Sequence, residues 1–303
     1  DCTGYCLAPG LIDMHVFLGE PLEETSLAAA AGGITTIVVQ PDTEPVLDQV
    51  ALVDYMKRRG QEAPVNVYAL AAATKNFAGE QMTEIGLLSA AGALAFTDSR
   101  RAISDAKVMR QLLTYASAHG ALIVQHAEDP SLADGGSATE GEVATRLGIP
   151  ALPAVAEVIM LERDLRLLEL TGGRYHAAQL STRAALNAIR KARASGMKAS
   201  CGVTPHHFAL NDLAIEEYRT FAKTSPPLRT EDDRKAVVEA IADGTVEVIV
   251  SSHDPHDEDS KRLPFSLAAP GVVGLETMLP IALELVHGGH VSLHDILKPM
   301  TSG

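Results

Sequence analysis

Histidine and aspartate side chains follow many of the short apolar runs in this 303-residue sequence, at the point where each run ends. Seven of the eleven histidines hold such positions, namely His15, His126, His176, His206, His207, His253 and His256. Asp42 and Asp98 hold equivalent positions. Imidazole nitrogen and carboxylate oxygen are ligands that Zn²⁺ takes in hydrolytic sites. If the ends of the runs converge in space, the sequence therefore predicts a metal-dependent hydrolytic site.

Parallel strands that alternate with helices would bring these ends together. Eight β-rich runs are predicted as strands, at Gly10–Val16, Ile34–Gln40, Val65–Leu70, Ala93–Thr97, Leu122–Gln125, Arg174–Gln179, Lys198–Val203 and Val246–Ser251. Apolar residues three and four positions apart predict helices at Val46–Arg59, Ile103–His119, Ala154–Leu170, Arg183–Ser195 and Glu231–Ala242. This alternation predicts an α/β fold with one (β/α)8 TIM barrel over residues 1–303, and a doubly wound open sheet is the alternative.

The composition argues against several classes of function. The 25 Lys and Arg residues against 39 Asp and Glu residues give a net charge of −14, which disfavours nucleic acid or an anionic membrane as partner. No apolar stretch is long enough to cross a membrane. Three cysteines form neither a disulfide framework nor a cysteine zinc site. We therefore expect a soluble cytoplasmic protein that binds a small molecule or another protein.

Motifs for other catalytic chemistries are absent from the sequence. No GxGxxG motif opens a helix after a predicted strand, and no GxSxG motif is present. The run Ser251-Ser252-His253-Asp254 contains a nucleophile beside a base, but neighbouring residues of an extended chain point to opposite faces. A lone histidine at a strand end is usually structural, whereas seven together favour a functional site.

Eight segments of the sequence resemble the dihydroorotase branch of the cyclic amidohydrolases. They read Pro9-Gly-Leu-Ile-Asp-Met-His15, Gly32-Gly-Ile-Thr-Thr36, Pro41-Asp-Thr-Glu-Pro45, His126-Ala-Glu-Asp129, Gly173-Arg-Tyr-His176 through Leu180-Ser-Thr182, Thr204-Pro-His-His207, Pro226-Pro-Leu-Arg229 and Gly274-Leu-Glu-Thr277. The resemblance implies a barrel of the amidohydrolase type, with a small flanking β-sandwich largely absent from this chain. It also implies a mouth with two zinc ions, where an activated hydroxide attacks a cyclic amide.

The resemblance breaks down at the metal-binding positions. It assigns the role of metal ligand to His15, Asp98 and His126. At three further ligand positions the family has two histidines and an aspartate, where this chain has Phe17, Gln179 and Ser252. A phenyl ring has no lone pair to donate, an amide is a poor zinc ligand, and a hydroxyl is not a carboxylate base. We therefore expect zinc binding to be weak or absent.

The positions that the family uses for its substrate are also altered. The resemblance assigns substrate contacts to His256, Asp42 and Ser225, and of these only His256 keeps the family's side chain. Gly19 stands where the family has an arginine that binds the substrate carboxylate. Asp42 replaces an asparagine and is expected to repel an acidic substrate.

Two carboxylates are candidates for catalysis if hydrolysis survives. Asp98 matches the family's metal-bridging carboxylate, and a shifted loop could present Asp254 in place of the missing aspartate. A one-metal site would then use His126, Asp98 and either His15 or Asp254. The alternative is that residues 254–259 form only a solvated acidic loop.

Three functional hypotheses follow from the resemblance. The first is a non-catalytic dihydroorotase-like protein of de novo pyrimidine biosynthesis that binds aspartate transcarbamoylase. The second is an active zinc-dependent dihydroorotase with a one-metal or rearranged site. The third is an amidohydrolase for an uncharged cyclic amide or imide. A homodimer is expected from the family.

Overall fold

The computed structural model describes residues 3–302, so residues 1, 2 and 303 of the predicted domain lie outside the described part. Its strands are β1 (Leu11–Val16), β2 (Ile34–Val39), β3 (Asn66–Ala69), β4 (Ala71–Ala72), β5 (Phe96–Thr97), β6 (Leu122–Gln125), β7 (Ala138–Thr139), β8 (Ala151–Leu152), β9 (Arg174–Ala177), β10 (Ala199–Val203) and β11 (Val248–Ile249). Its helices are α1 (Leu22–Ala31), α2 (Val50–Gly60), α3 (Ile85–Ala91), α4 (Ala106–Ala118), α5 (Pro130–Ala133), α6 (Glu142–Leu147), α7 (Val155–Thr171), α8 (Arg183–Ala194), α9 (Pro205–Ala209), α10 (Glu231–Ala242), α11 (Glu258–Lys261), α12 (Met278–His287) and α13 (Leu293–Leu297).

The strands other than β7 and β8 form a closed parallel barrel. β1, β2 and β3 pair in that order, and a second sheet runs β4-β5-β6-β9-β10-β11. β4 continues β3 after Leu70, so the two make one interrupted barrel strand. The wall closes through a parallel bridge between Val16 and His253, where the Phe17 N–H donates to the His253 carbonyl at 2.9 Å. The predicted (β/α)8 barrel is confirmed, and the open sheet is excluded.

The barrel wall is apolar on both of its faces. Along β2, Val38 packs inside the barrel with Leu70, Ala95 and Val124. The next residue, Val39, packs in the outer cluster between strands and helices. A strand that is buried on both faces reads as a continuous apolar run, which is why the strands can be recognised in the sequence.

Two helices show how local sequence sets the helix boundaries. α4 begins after Asp105, whose carboxylate accepts from the Lys107 and Val108 N–H groups at 2.7 and 3.1 Å. α2 begins four residues later than the predicted Val46. The cause is Leu47, which is buried and whose carbonyl accepts from the Ala72 N–H at 2.9 Å, so this segment is bound to a strand rather than to the helix.

The segment between β6 and α7 carries structure that the sequence analysis does not predict. It contains α5, α6 and the short parallel pair of β7 and β8. Its buried residues Val143 and Ile149 pack against Ile215, Leu228 and Phe265 in a separate apolar cluster. The loops that follow several barrel strands are thereby held together. Over residues 3–302, no helix has the length and apolar character that crossing a bilayer requires.

Candidate active site at the barrel mouth

A cavity of about 180 Å³ lies at the carboxyl ends of the barrel strands. Four of the predicted site residues line it, namely His15, His126, Ser225 and Asp254. Phe17, Gln179 and Ser252, the three altered ligand positions, also line it. The expectation that strand ends converge on one site is therefore met for these residues.

A larger cavity of about 820 Å³ lies on the outer side of the barrel, between α2 and β3. Val53, Lys57, Tyr68 and Leu94 are among its lining residues, and no histidine, cysteine or carboxylate side chain of the described chain lines it. It therefore lacks the groups that hydrolysis needs, and the mouth remains the candidate site.

His15 is held as a neutral imidazole in the wall of the mouth. The Gln40 side-chain amide donates to its Nδ1 at 3.1 Å, which leaves the proton on Nε2. Burial, together with the nearby His126 and Arg100, lowers the pKa of His15 to about 3. His15 is therefore uncharged at neutral pH.

His126 and His206 each bring an unsatisfied nitrogen to the mouth. The Nε2 atom of each side chain is buried without a hydrogen-bond partner. His126 Nε2 lies 3.8 Å from a Glu128 carboxylate oxygen, and burial lowers the pKa of His206 to about 4. His126 is a metal ligand by the family resemblance, whereas His206 matches no functional position of the family.

Asp98 follows β5 but does not line the cavity. Its Oδ1 accepts from the Thr74 N–H at 2.8 Å, and its Oδ2 accepts from the Thr74 hydroxyl. Burial raises the pKa of Asp98, although these hydrogen bonds favour the ionised form. Both oxygens are thus bound by one neighbouring residue. The predicted ligand set of His15, Asp98 and His126 is not assembled here.

The donor atoms present at the mouth do not fit a zinc pair. The Gln179 amide donates to the Ser252 hydroxyl at 2.6 Å, so these two positions bind each other. Phe17 packs with its ring against His15, with centroids 5.2 Å apart. Between residues 3 and 302, no three His, Cys, Asp or Glu side chains are grouped closely enough to hold a metal ion. The one-metal alternative, with His15 or Asp254 as third ligand, likewise lacks its ligand group.

Arg100 reaches into the same mouth from the loop after β5. Its Nη1 lies 2.8 Å from Asp42 Oδ2, and its Nη2 lies 2.6 Å from Asp254 Oδ1. The guanidinium carbon lies 3.6 Å from the centre of the Phe17 ring. His256 Nε2 lies 3.3 Å from the same oxygen of Asp254. The Arg100 side chain thus connects the loop that carries Asp42 with the loop that carries Asp254.

These contacts correct two interpretations of the acidic residues. Asp42 was expected to present a negative charge to the substrate, but Arg100 compensates that charge. Asp254 is buried rather than part of a solvated loop, whereas Glu258 and Asp259 are exposed. Arg100 is not among the site residues predicted from the sequence. The available signal was a cation two residues after Asp98, at a predicted strand end.

The close approach of two loops explains why Gly19 cannot easily be an arginine. A Cβ atom at Gly19 would lie 2.5 Å from the Pro255 carbonyl oxygen, which is far inside van der Waals contact. Any side chain at this position requires the loop after β11 to move. The loop that carries Pro255 therefore occupies the space that an arginine side chain at position 19 would need.

Two further histidines at strand ends have structural partners. His176 Nδ1 lies 2.8 Å from the Ser200 hydroxyl on the adjacent strand β10. His207 lies 2.7 Å from the Thr204 hydroxyl through Nδ1 and 3.1 Å from the Pro226 carbonyl through Nε2. Neither side chain lines the mouth cavity. Their position at strand ends reflects packing of the loops.

Comparison with known proteins shows to which family this chain is similar. A family model described as dihydro-orotase-like matches residues 4–185. The chain is 43% identical over 311 residues to a dihydroorotase of Anaplasma phagocytophilum, covering 100% of this chain and 69% of that protein. It is 43% identical over 310 residues to a dihydroorotase of Wolbachia sp. subsp. Drosophila simulans, covering 99% of this chain and 70% of that protein.

Solved structures agree on the fold. An L-hydantoinase (dihydropyrimidinase) from Arthrobacter aurescens superposes with a TM-score of 0.84 at 25% identity, covering 97% of this chain and 69% of that one. A dihydroorotase from Saccharomyces cerevisiae, in complex with 5-fluoroorotic acid, superposes with a TM-score of 0.78 at 16% identity, covering 97% and 82%. The chain belongs to the dihydroorotase-like family of amidohydrolase barrels.

Proposed function

We propose that this protein is a dihydroorotase-like member of de novo pyrimidine biosynthesis that has lost metal-dependent ring hydrolysis and acts as a non-catalytic partner of aspartate transcarbamoylase. The observation that carries the proposal is the hydrogen bond between Gln179 and Ser252. Two positions that resemble the family's metal ligands bind each other, and neither is a carboxylate or an imidazole.

The remaining groups supply little of the required chemistry. Hydrolysis of a cyclic amide needs an activated water and a group that accepts its proton. His15 is neutral, but its Nδ1 is already occupied by the Gln40 amide. Asp98 is bound through both oxygens to Thr74. His126 keeps an unsatisfied nitrogen, and one imidazole alone does not bind zinc tightly.

Binding to another protein is consistent with the parts of the chain that are intact. The barrel closes normally, and the loops around the mouth share an apolar cluster of their own. The net charge of −14 favours a partner with a basic surface. A stable scaffold of this kind needs the fold of the family but not its metal site.

An active dihydroorotase is the second candidate. It is supported by 41–43% identity to curated proteins of that name and by four retained side chains, which are His15, Asp98, His126 and His256. Such an enzyme would need Asp98 to leave Thr74 before it could bind a metal. An uncharged ring is the remaining alternative, because Gly19 supplies no cation for a substrate carboxylate.

Metal content and turnover separate these candidates. The purified protein is analysed for zinc and is then assayed for cyclisation of carbamoyl-aspartate and for hydrolysis of hydantoin, with and without added Zn²⁺. We expect substoichiometric zinc and no turnover of either compound. Stoichiometric zinc with turnover would refute the loss of hydrolysis. In that case His126→Ala should abolish the activity and Ser252→Asp should raise it.

The partner is tested separately by size-exclusion chromatography. The protein and aspartate transcarbamoylase are mixed at micromolar concentrations, and each is also run alone. We expect a complex that elutes earlier than either component. Independent elution at these concentrations would remove the proposed partner, and the column also reports whether this chain forms the expected homodimer.

A further inference from the structure

The residues at the mouth place a permanent positive charge where the family's fold implies metal ions. Arg100 and two imidazoles, His15 and His126, line the same cavity. The Arg100 guanidinium stacks at 3.6 Å on Phe17, the ring at an altered ligand position. The cation and the surviving donor side chains therefore share one small space of about 180 Å³.

We propose that Arg100 is a built-in cation that takes the place of metal at this mouth, binding the carboxylates of Asp42 and Asp254 together and excluding divalent metal ions. The inference rests on the proposed loss of metal-dependent hydrolysis and adds the group that replaces the metal. It assigns Arg100 a positioning role rather than a catalytic one.

The geometry of the guanidinium supports this role. Nη1 binds Asp42, which follows β2, and Nη2 binds Asp254, which follows β11. One planar fork thus spans two loops that are distant in sequence, as a divalent cation does when carboxylates from different loops bind it. Without a cation between them, two carboxylates at this rim would be uncompensated, and one of them is buried.

The charge of Arg100 also acts on the surviving imidazoles. Arg100 stacks on Phe17, and the Phe17 ring centroid lies 5.2 Å from that of His15. A positive charge this close to the imidazole repels a zinc ion, and by Coulomb's law a divalent ion is repelled about twice as strongly as a monovalent one. Phe17 and Arg100 act together here. Phe17 stands where the family has a histidine ligand, and its ring offers the guanidinium a stacking surface instead of a metal-binding nitrogen.

A simple surface ion pair is the competing explanation. The side chains of Arg100 and Asp42 are each 36% exposed, and exposed pairs contribute little to stability. The Asp254 side chain is only 10% exposed, however, and its Oδ1 also faces His256. The two explanations therefore differ in what loss of Arg100 does to Asp254 and to zinc affinity.

The test compares Arg100→Gln with the matched control Arg101→Gln, which changes the next residue, an exposed arginine. Thermal unfolding is measured for both variants, for Asp254→Asn and for the double variant Arg100→Gln/Asp254→Asn. We expect Arg100→Gln to lower Tm by about 2–3 °C, because the largely buried Asp254 carboxylate loses its cation in a chain of this size. The double variant should lose less than the sum of the two single losses.

Binding of zinc alone is then measured by equilibrium dialysis. Arg100→Gln should bind zinc at least about tenfold more tightly than the wild type, and Arg101→Gln should match the wild type. Arg100→Lys keeps the charge without the fork, so it should exclude zinc while it loses stability. This variant provides the test if Arg100→Gln does not fold.

The outcomes separate this inference from the proposed function. Additive losses of Tm, or equal zinc affinity in Arg100→Gln and Arg101→Gln, would overturn the role of Arg100. If one of these two results is found while the wild type shows neither zinc binding nor turnover, the role of Arg100 is wrong but the proposed function still stands. Stoichiometric zinc with turnover in the wild type would overturn both.

Discussion

Lowering the pH from 7 to 5 is expected to weaken the folded state through histidines that are buried as neutral imidazoles. His176 is the clearest case, because burial alone lowers its pKa to about 4 from an ordinary value of 6.5. It is 2% exposed, and its Nδ1 faces only the Ser200 hydroxyl. A histidine with a lowered pKa stabilises the fold above pH 6.5, and that contribution is lost as the pH falls toward 4.

The magnitude follows from the difference between these two pKa values. At pH 5 the unfolded chain binds nearly one proton at His176, whereas the folded chain binds almost none. Between pH 7 and pH 5 this single group therefore removes about 2 kcal/mol from the free energy of unfolding. His206 and His253, with pKa values lowered to about 4, act in the same direction.

Two buried carboxylates act in the opposite direction. Burial raises the pKa of Asp13 and of Asp164 to about 6 from 3.8. Their contribution to stability is full below pH 4 and is lost as the pH rises through 6. Because the two effects overlap between pH 4 and 6, total stability alone does not reveal the share of one histidine.

A variant isolates that share. Urea unfolding of the wild type and of His176→Asn is measured at pH 7 and pH 5, with the exposed His287→Asn as control. On going from pH 7 to pH 5, the wild type should lose about 2 kcal/mol more unfolding free energy than His176→Asn loses. The His287→Asn difference should stay constant. An equal difference for His176→Asn at both pH values would refute the reasoning.

Three further predictions test the packing of the barrel. Glu157→Gln should lower the free energy of unfolding by about 3 kcal/mol in urea titrations. The reason is that this buried carboxylate accepts hydrogen bonds from Ser181 and Thr182 and lies near buried Arg229. A loss below about 1 kcal/mol would contradict this. Gly19→Ala should cost about 1–3 kcal/mol, because its Cβ would meet a backbone carbonyl at 2.5 Å, and unchanged stability would show that the loop moves freely. Cys201 should resist iodoacetamide in the folded protein, because burial raises its pKa to about 12, whereas the exposed Cys6 should react. Peptide mass spectrometry measures the labelling of each cysteine. Labelling of Cys201 before the protein unfolds would disprove this.

The strands and the location of the mouth could be predicted from sequence because they depend on local pattern. A barrel strand buried on both faces is a short apolar run, and its end is marked by a polar residue. His15 and His126 were placed correctly at the cavity by this rule alone. The same rule also selected His207, which faces the loop carbonyl of Pro226 instead. The pattern of apolar and polar residues along the sequence locates the end of a strand, but it does not determine where the side chain at that end points.

The charge network at the mouth could not be predicted in the same way. Asp42, Arg100 and Asp254 come from three loops, and their contacts span 58 and 154 residues of sequence. Nothing in the local pattern of any one loop specifies its partners. Asp98 shows the converse case, since its position was predicted and its hydrogen bonds to Thr74 were not. Long-range pairing of side chains is decided by the folded barrel.

The hydrogen bond between Gln179 and Ser252 bears on which substitutions could install a metal site at the mouth. An aspartate at position 252 would still offer the Gln179 amide an oxygen acceptor, whereas a histidine at position 179 would remove the amide that now donates to the Ser252 hydroxyl. Neither replacement alone supplies a full set of metal-binding side chains while Phe17 and Arg100 stay in place. Installing a metal site at this mouth would therefore require several coordinated substitutions rather than one.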